Sequence, residues 1–345
     1  MITKQLPGFK PLCYIKKDLY LYHKGGIYRF KRNMLQKEMA IYPTTIKECM
    51  RVSSRLFRTE PKYAVTIDDK SMIIVGHRKM LLVNVQDKNI FSFAKSRTGF
   101  SDPLNVCVGQ ENWLAVWGDY GNNANHDAIY IYGLTHDYKT EIVYSFKKGQ
   151  IRHIHNIIPK KSGGYYIFTG DQEKEAGIYA ADAFFKKVGP VKIGKQQYRA
   201  VVGFDTEHGL LYATDAVNEK NYIYLLKKDR YLEKIDSING SCIYGKAYNG
   251  KYYFSTTVEP DENCKGLMSW ISRKRGKGIL SNAVHLVEVD ENLNTRIILK
   301  MEKDILPMKL MQYGSIQFPR GLSDEFWCYP VAVKRQDGVA LYLHV

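Results

Sequence analysis

"IYIYGLTHDYKTEIVYSF", residues 129–146, decides the fold: two runs rich in β-branched and aromatic residues flank a polar turn centred on Asp137. Such runs form strands because branched and aromatic side chains fit a pleated, half-buried surface, and a turn aspartate can bond nearby backbone amides. The pattern recurs as "IYRFKRNMLQKEMAIY", "MLLVNVQDKNIFSF", "GIYAADAFFKKV", "YIYLLKKDRYLEKI", "HLVEVDENLNTRIIL" and "VAVKRQDGVALYL". Its turn residues are Asn33, Asp87, Asp137, Asp182, Asp229, Asp290 and Asp337, separated by roughly 45 to 60 positions, near the period of a propeller blade. From the second unit onward two further strand-like runs precede each hairpin, for example "RHIHNII" and "YYIFTG" before "GIYAA". Four antiparallel strands per unit, repeated seven times, predict an all-β fold: a seven-bladed β-propeller of four-stranded antiparallel blades. No Pro/Gly/Ser linker interrupts the chain, so residues 1–345 read as one propeller domain. The irregular stretch at about 259–283 reads as an insertion within the sixth unit.

Lys and Arg outnumber Asp and Glu by 51 to 35, giving a net charge of +16. A surface of that sign attracts anions, and scattered lysines also discourage edge-to-edge strand pairing. The basic residues are dispersed, with one dense cluster, "SRKRGKG" at 272–278. No recognition helix or aromatic RNA-binding signature accompanies them, so nucleic acid is not the expected partner. The first residues lack the apolar core of a signal peptide and no stretch has transmembrane length, which predicts no membrane span and a cytoplasmic location. Cys13, Cys49, Cys107, Cys242, Cys264 and Cys328 show no C-x-x-C spacing and read as reduced thiols. Dinucleotide, P-loop, zinc-protease and nucleophile-elbow motifs are absent.

In a four-stranded blade the start of the inner strand and the loop between strands two and three share one face of the ring, and the hairpin between strands three and four lies on the other. The near face then collects Arg55, Arg58, Asp102, Arg152, His153, His155, Tyr198, Arg199, Tyr244 and Tyr313 from the starts of inner strands. The second-to-third loops add Asp119, Asn122, Asn123, His126, Asp171, Asp215, Asn221 and Glu259. Loops over the channel of a ring fold are where sites usually form.

His153 and His155, two apart on a strand, project to one side. They can serve as a general base and its orienter, or bind a divalent metal with His126 or a carboxylate such as Asp119 or Asp171. A strand pair is half a coordination sphere at most, so no cofactor is favoured, with a divalent metal as the alternative. Asp171, Asp215 and Glu259 end second strands of successive units, and a carboxylate pair is what glycoside hydrolysis needs. A lyase instead needs a base such as His and an Arg or metal that neutralises a uronate. Arg55, Arg58, Arg152 and Arg199 can each grip an anion through paired hydrogen bonds, with Asp119, Asn122, His126, Tyr198 and Tyr244 as further substrate contacts.

"THDYKTEI" keeps the Thr, the Asp two residues later and the terminal apolar position of the Asp-box turn, and with "GDYGNNANHDAIYIY", "IRHIHNI", "TGD", "QYRAVVGF" and "ATDA" the chain resembles bacterial Asp-box, sialidase-like propellers associated with glycan processing. The resemblance implies an arginine cluster for an acidic sugar; the tyrosine-glutamate nucleophile pair of sialidases has no counterpart here. The His-rich inner strand is also similar to that of oligogalacturonate lyases, propellers that bind a metal through histidines. The expected function is cleavage of an acidic oligo- or polysaccharide, hydrolytic with catalytic His153, His155, Asp171, Asp215 and Glu259. Elimination from a uronate and non-catalytic binding of a glycan or protein are the alternatives.

Overall fold

The computed structural model describes residues 2–345. Among them, seven four-stranded antiparallel sheets form the blades of a propeller. Blade 1 comprises Lys10–Ile15, Asp18–His23, Gly26–Lys31 and Met34–Ala40, and blades 2 to 6 follow in the same order along the chain. The inner strands start at Tyr63, Val106, His153, Ala200 and Cys242. Blade 7 is composite: Ser315–Gln317, Phe326–Val331 and Val339–Leu343 are completed by the N-terminal strand Ile2–Pro7, with Gln5 opposite Leu341 and Pro7 opposite Val339. The first and last stretches of the chain thereby close the ring.

Burial follows position in the blade. Second strands such as Ser71–Gly76 and Phe326–Val331 are buried throughout, because adjacent blades cover both their faces, so they read as unbroken apolar runs. Outer strands such as Ile2–Pro7 and Asn89–Lys95 face solvent on at least one side. The blade interfaces are aromatic: Phe146 of blade 3 meets the edge of Tyr179 of blade 4, and Phe168 of blade 4 lies against Tyr212 of blade 5.

Six of the seven Asp/Asn turns join third and fourth strands, as the repeat predicts. Several aspartates cap these hairpins directly. Asp182 accepts backbone N–H groups of Phe184, Lys186 and Lys187, and Asp290 those of Asn292 and Asn294. The seventh turn is different, because the N-terminal strand takes the outer place in blade 7. Asp337 therefore lies in a second-to-third loop, on the near face.

Between the second and third strands of blade 6, Lys251–Thr256 and Ala283–Val289, runs a long connection. It carries the short helix Met268–Ile271, which packs on helix Met308–Met311, itself against helix Arg51–Phe57. These helices build up one sector of the near face. The six cysteines are free thiols, with Cys13, Cys107, Cys242 and Cys328 buried. No helix among the described residues is long and apolar enough to cross a membrane.

Candidate functional site

His153 begins the inner strand of blade 4 and His155 follows on the same side, both nearly inaccessible. Each ring is fixed through Nδ1. His153 Nδ1 donates to the Gly121 carbonyl at 2.8 Å, and His155 Nδ1 to the Ala200 carbonyl at 3.0 Å. A carbonyl only accepts, so Nδ1 carries the proton and, in the neutral rings, both Nε2 atoms present bare lone pairs. Those atoms stand 3.0 Å apart, and Asp171 Oδ1 lies 3.3 Å from the first and 3.1 Å from the second. Gly170, just before Asp171, makes room for this approach: a Cβ there would come within 2.5 Å of the His155 ring. Tyr120 covers the pair, its ring centroid 4.7 Å from that of His153.

Arg199, at the start of blade 5, joins this group to a second set of acids. Its guanidinium lies 3.3 Å from Asp171, 3.6 Å from Asp215 and 3.6 Å from Glu262. Glu259, on the long connection of blade 6, is buried and accepts the hydroxyls of Ser241 at 2.6 Å and Thr257 at 2.5 Å. One arginine thus faces four carboxyl groups. Burial would raise Asp171, but the two histidine contacts and Arg199 hold it well below the usual carboxylate range. Burial drives Asp215 well above that range, against the pull of Arg199, and raises Glu259 despite its two hydroxyl donors. Burial also lowers His155, outweighing Asp171. Asp215 Oδ1 and Arg199 Nε are buried without a hydrogen-bond partner among the described residues.

Three lone-pair donors within about 3 Å of each other repel unless a proton or a cation lies between them. The spacing suits a cation: ligand atoms at ~2.1 Å from an ion in neighbouring positions of its shell stand about 3.0 Å apart in an octahedral arrangement and about 3.4 Å in a tetrahedral one. Two imidazoles and a carboxylate converging from one side, with both rings oriented by backbone carbonyls, are also the donor set and outer shell typical of divalent transition metals. The converging donors are His153, His155 and Asp171.

The other residues expected at the mouth have different employment. His126 Nδ1 pairs with Glu175 at 2.6 Å, so it does not join the histidine pair. Asp119 is consumed by Arg97, the Tyr130 amide and the Tyr132 hydroxyl. Asn122 accepts from Arg152 at 2.7 Å. Asn123 and Asn221 each tie their own loop together through backbone groups. Arg55 is buried between Asp304, Asp337 and the Met311 carbonyl, and Tyr198 belongs to the core between blades 4 and 5. Arg58 and Tyr244 line the central channel, as does Asp102, which accepts the Ser96 hydroxyl. Sequence reasoning did not single out Tyr120, Ser241, Thr257 or Glu262. Tyr120 adjoins Asp119 in "GDYGNN", and Glu262 lies in the long connection of blade 6, so position offered a signal for both.

No protein-family model and no curated protein matches this chain. Solved structures do match, at low identity. The chain is similar to an oligogalacturonate lyase from Vibrio parahaemolyticus, with a TM-score of 0.57 and 8% identity over 99% of this chain and 91% of that one. It is also similar to the extracellular domain of a putative one component system from B. thetaiotaomicron, with a TM-score of 0.56 and 11% identity. That match covers 98% of this chain and 38% of the neighbour. The AfRom2 CNH domain matches with a TM-score of 0.54 and 8% identity over 99% of both chains. Neighbours so different in description, at such identities, bear out the propeller fold.

Proposed function

We propose that the near mouth is a metal-dependent site that cleaves acidic glycans, acting on a uronate unit by elimination. The observation that carries this reading is the convergence of His153 Nε2, His155 Nε2 and Asp171 Oδ1, with both rings locked by backbone carbonyls. A divalent cation held there would supply positive charge to a substrate carboxylate and make the neighbouring C–H more acidic. The histidine contacts and then Arg199 favour the ionised form of Asp171, the carboxylate such an ion would need.

Asp215 and Glu259 are the proton-transfer groups in this reading. Burial raises the proton affinity of both, the direction that suits a carboxyl that takes or gives a proton. In the elimination, one takes the proton beside the substrate carboxylate, the C–H pair becomes the new double bond, and the C–O bond to the leaving sugar breaks. The departing oxygen is protonated by the other carboxyl or by water. The acidic-glycan assignment draws support from the oligogalacturonate lyase among the structural neighbours. Hydrolysis by the same two carboxyls is the second reading, favoured by the way Glu259 acts on Asp215 to raise it.

The test is turnover by the purified protein on uronate, sialate and neutral oligosaccharides, following both the ultraviolet absorbance of an unsaturated product and new reducing ends. Elimination predicts both signals on uronates, lost on chelation and restored by Mn²⁺, Ca²⁺ or Zn²⁺. Reducing ends without the absorbance would select hydrolysis. Neither signal on any substrate would overturn catalysis and leave a binding protein.

A further inference from the structure

The central channel holds a cavity of about 700 Å³ whose wall carries Lys10, Arg58, Lys62, Lys246 and Arg320, drawn from blades 1, 2, 6 and 7. None of the five makes an ion pair among the described residues. Their hydrogen bonds run mainly to backbone carbonyls. Lys10 donates to Pro61 at 2.8 Å, Lys246 to Pro319 at 3.0 Å and Gly321 at 3.3 Å, Lys62 to Asp102 at 3.1 Å, and Arg58 to Lys309 at 3.1 Å. Arg320 donates to the Val106 carbonyl at 3.1 Å and to the Asn105 side chain, and stacks 3.9 Å over Tyr63.

Two carboxyl groups share this wall, and both have other partners. Glu60 is held by Arg51 at 2.7 Å and the Tyr329 hydroxyl at 2.8 Å, and Asp102 by Ser96 at 2.7 Å. The other deeply buried cations of the protein, Arg55, Arg199 and Lys303, each sit against carboxylates. Lys10 and Lys246 are each 6% exposed; Lys10 feels Glu60, which Arg51 already holds, and Lys246 has no carboxylate near it among the described residues, a costly state for a buried charge. The channel therefore concentrates positive charge in a space large enough for a ligand to neutralise it.

We infer that the central channel is an anion site that takes carboxylate groups, namely the uronate units of a glycan whose cleaved linkage lies at the mouth. The assignment of the anion to a uronate rests on the function proposed above; the anion site itself does not. Carboxylates spaced along an oligosaccharide match cations spread over four blades, and the neighbouring Tyr244, which accepts from Gln317 at 3.3 Å, and Tyr63 offer surfaces for sugar rings.

Calorimetric titration of the chelator-treated protein with a trimer of galacturonate, a neutral trimer and inorganic phosphate tests this, since chelation removes any ion at the mouth and the lysine variants report on the channel. The uronate trimer is expected to bind, at least tenfold weaker in Lys62→Gln and in Lys246→Met, with Lys62→Arg restoring the affinity. Lys62 is exposed within the channel wall, so its substitution leaves the fold intact if the buried Lys246 variant does not. Phosphate binding with the same sensitivity, without uronate binding, would overturn the glycan occupant and keep the anion site. Equal binding of the neutral trimer, or no anion binding at all, would overturn the site. His153→Ala is expected to abolish turnover and keep this titration, so failure of the mouth and failure of the channel read out separately.

Discussion

Replacing Lys246 by Met alters how stability depends on pH by an amount that follows from the channel. Burial holds both Lys10 and Lys246 down from about 10.5 to about 8. A lysine with a lowered folded-state value binds its proton more weakly in the folded protein than in the unfolded chain. The penalty is complete below pH 8 and is relieved as pH rises towards 10.5, so stability grows with pH across that window. For one lysine shifted by ~2.5 units the gain between pH 7 and pH 9 is about 1.3 kcal/mol. The buried thiols Cys13, Cys107, Cys242 and Cys328 act in the opposite sense, because burial raises them and the unfolded chain releases those protons first. They are common to both proteins and cancel in the difference. Urea unfolding of the unsubstituted protein and of Lys246→Met at pH 7, 8 and 9, in buffers without polyvalent anions, measures that difference. Whatever the offset at pH 7 from the lost bonds to Pro319 and Gly321, the unsubstituted protein should gain about 1.3 kcal/mol on the variant by pH 9. Parallel curves would refute the buried, unpaired lysine and weaken the channel argument with it.

Arg55→Met should cost about 1.5 to 3 kcal/mol in urea unfolding, since the part-buried Asp304 and Asp337 lose the cation they share and keep only Lys303 and Arg51; a loss under 1 kcal/mol would mean that those two cations and solvent suffice. Deleting residues 1–7, or the strand "ALYLHV", should lower the melting temperature of the entire ring in one transition, because both belong to the closing blade. Unchanged melting would show that closure does not depend on it. Asp182→Ala removes an acceptor of three backbone amides on the far face and should cost about 1 to 2 kcal/mol, with turnover unaffected. A loss of activity there would place function on the wrong face.

The ring was legible because each blade repeats one local instruction, two runs suited to strands around an Asp turn, and because buried second strands announce themselves as apolar runs such as "FWCYPV". Blade 7 broke the reading, since nothing local in "VAVKRQDGVALYL" reveals that residues 2–7 supply its outer strand. Simple strand alternation was enough to bring His153, His155, Asp171, Asp215 and Arg199 to one mouth. Alternation says which face a residue lies on, not what it touches there. Arg55 and Asn122 are on the expected face yet are spent on neighbours, and His126 turns to Glu175. Such pairings depend on distances between loops from different blades, which no spacing in the chain encodes. The channel cations were hidden for the same reason: Lys10, Lys246 and Arg320 are more than seventy positions apart and meet only when the ring closes.

Metal content is the most direct test of the mouth. The protein, dialysed against Mn²⁺ or Zn²⁺ and freed of excess ion, should retain close to one equivalent by elemental analysis. Both His155→Ala and Asp171→Asn should retain far less. Retention should also fall in acid, because protons compete with the ion for its ligand atoms. A folded, unsubstituted protein that holds no ion at neutral pH, or variants that hold as much as it does, would contradict the metal centre. The two histidines and Asp171 would then share a proton rather than a cation.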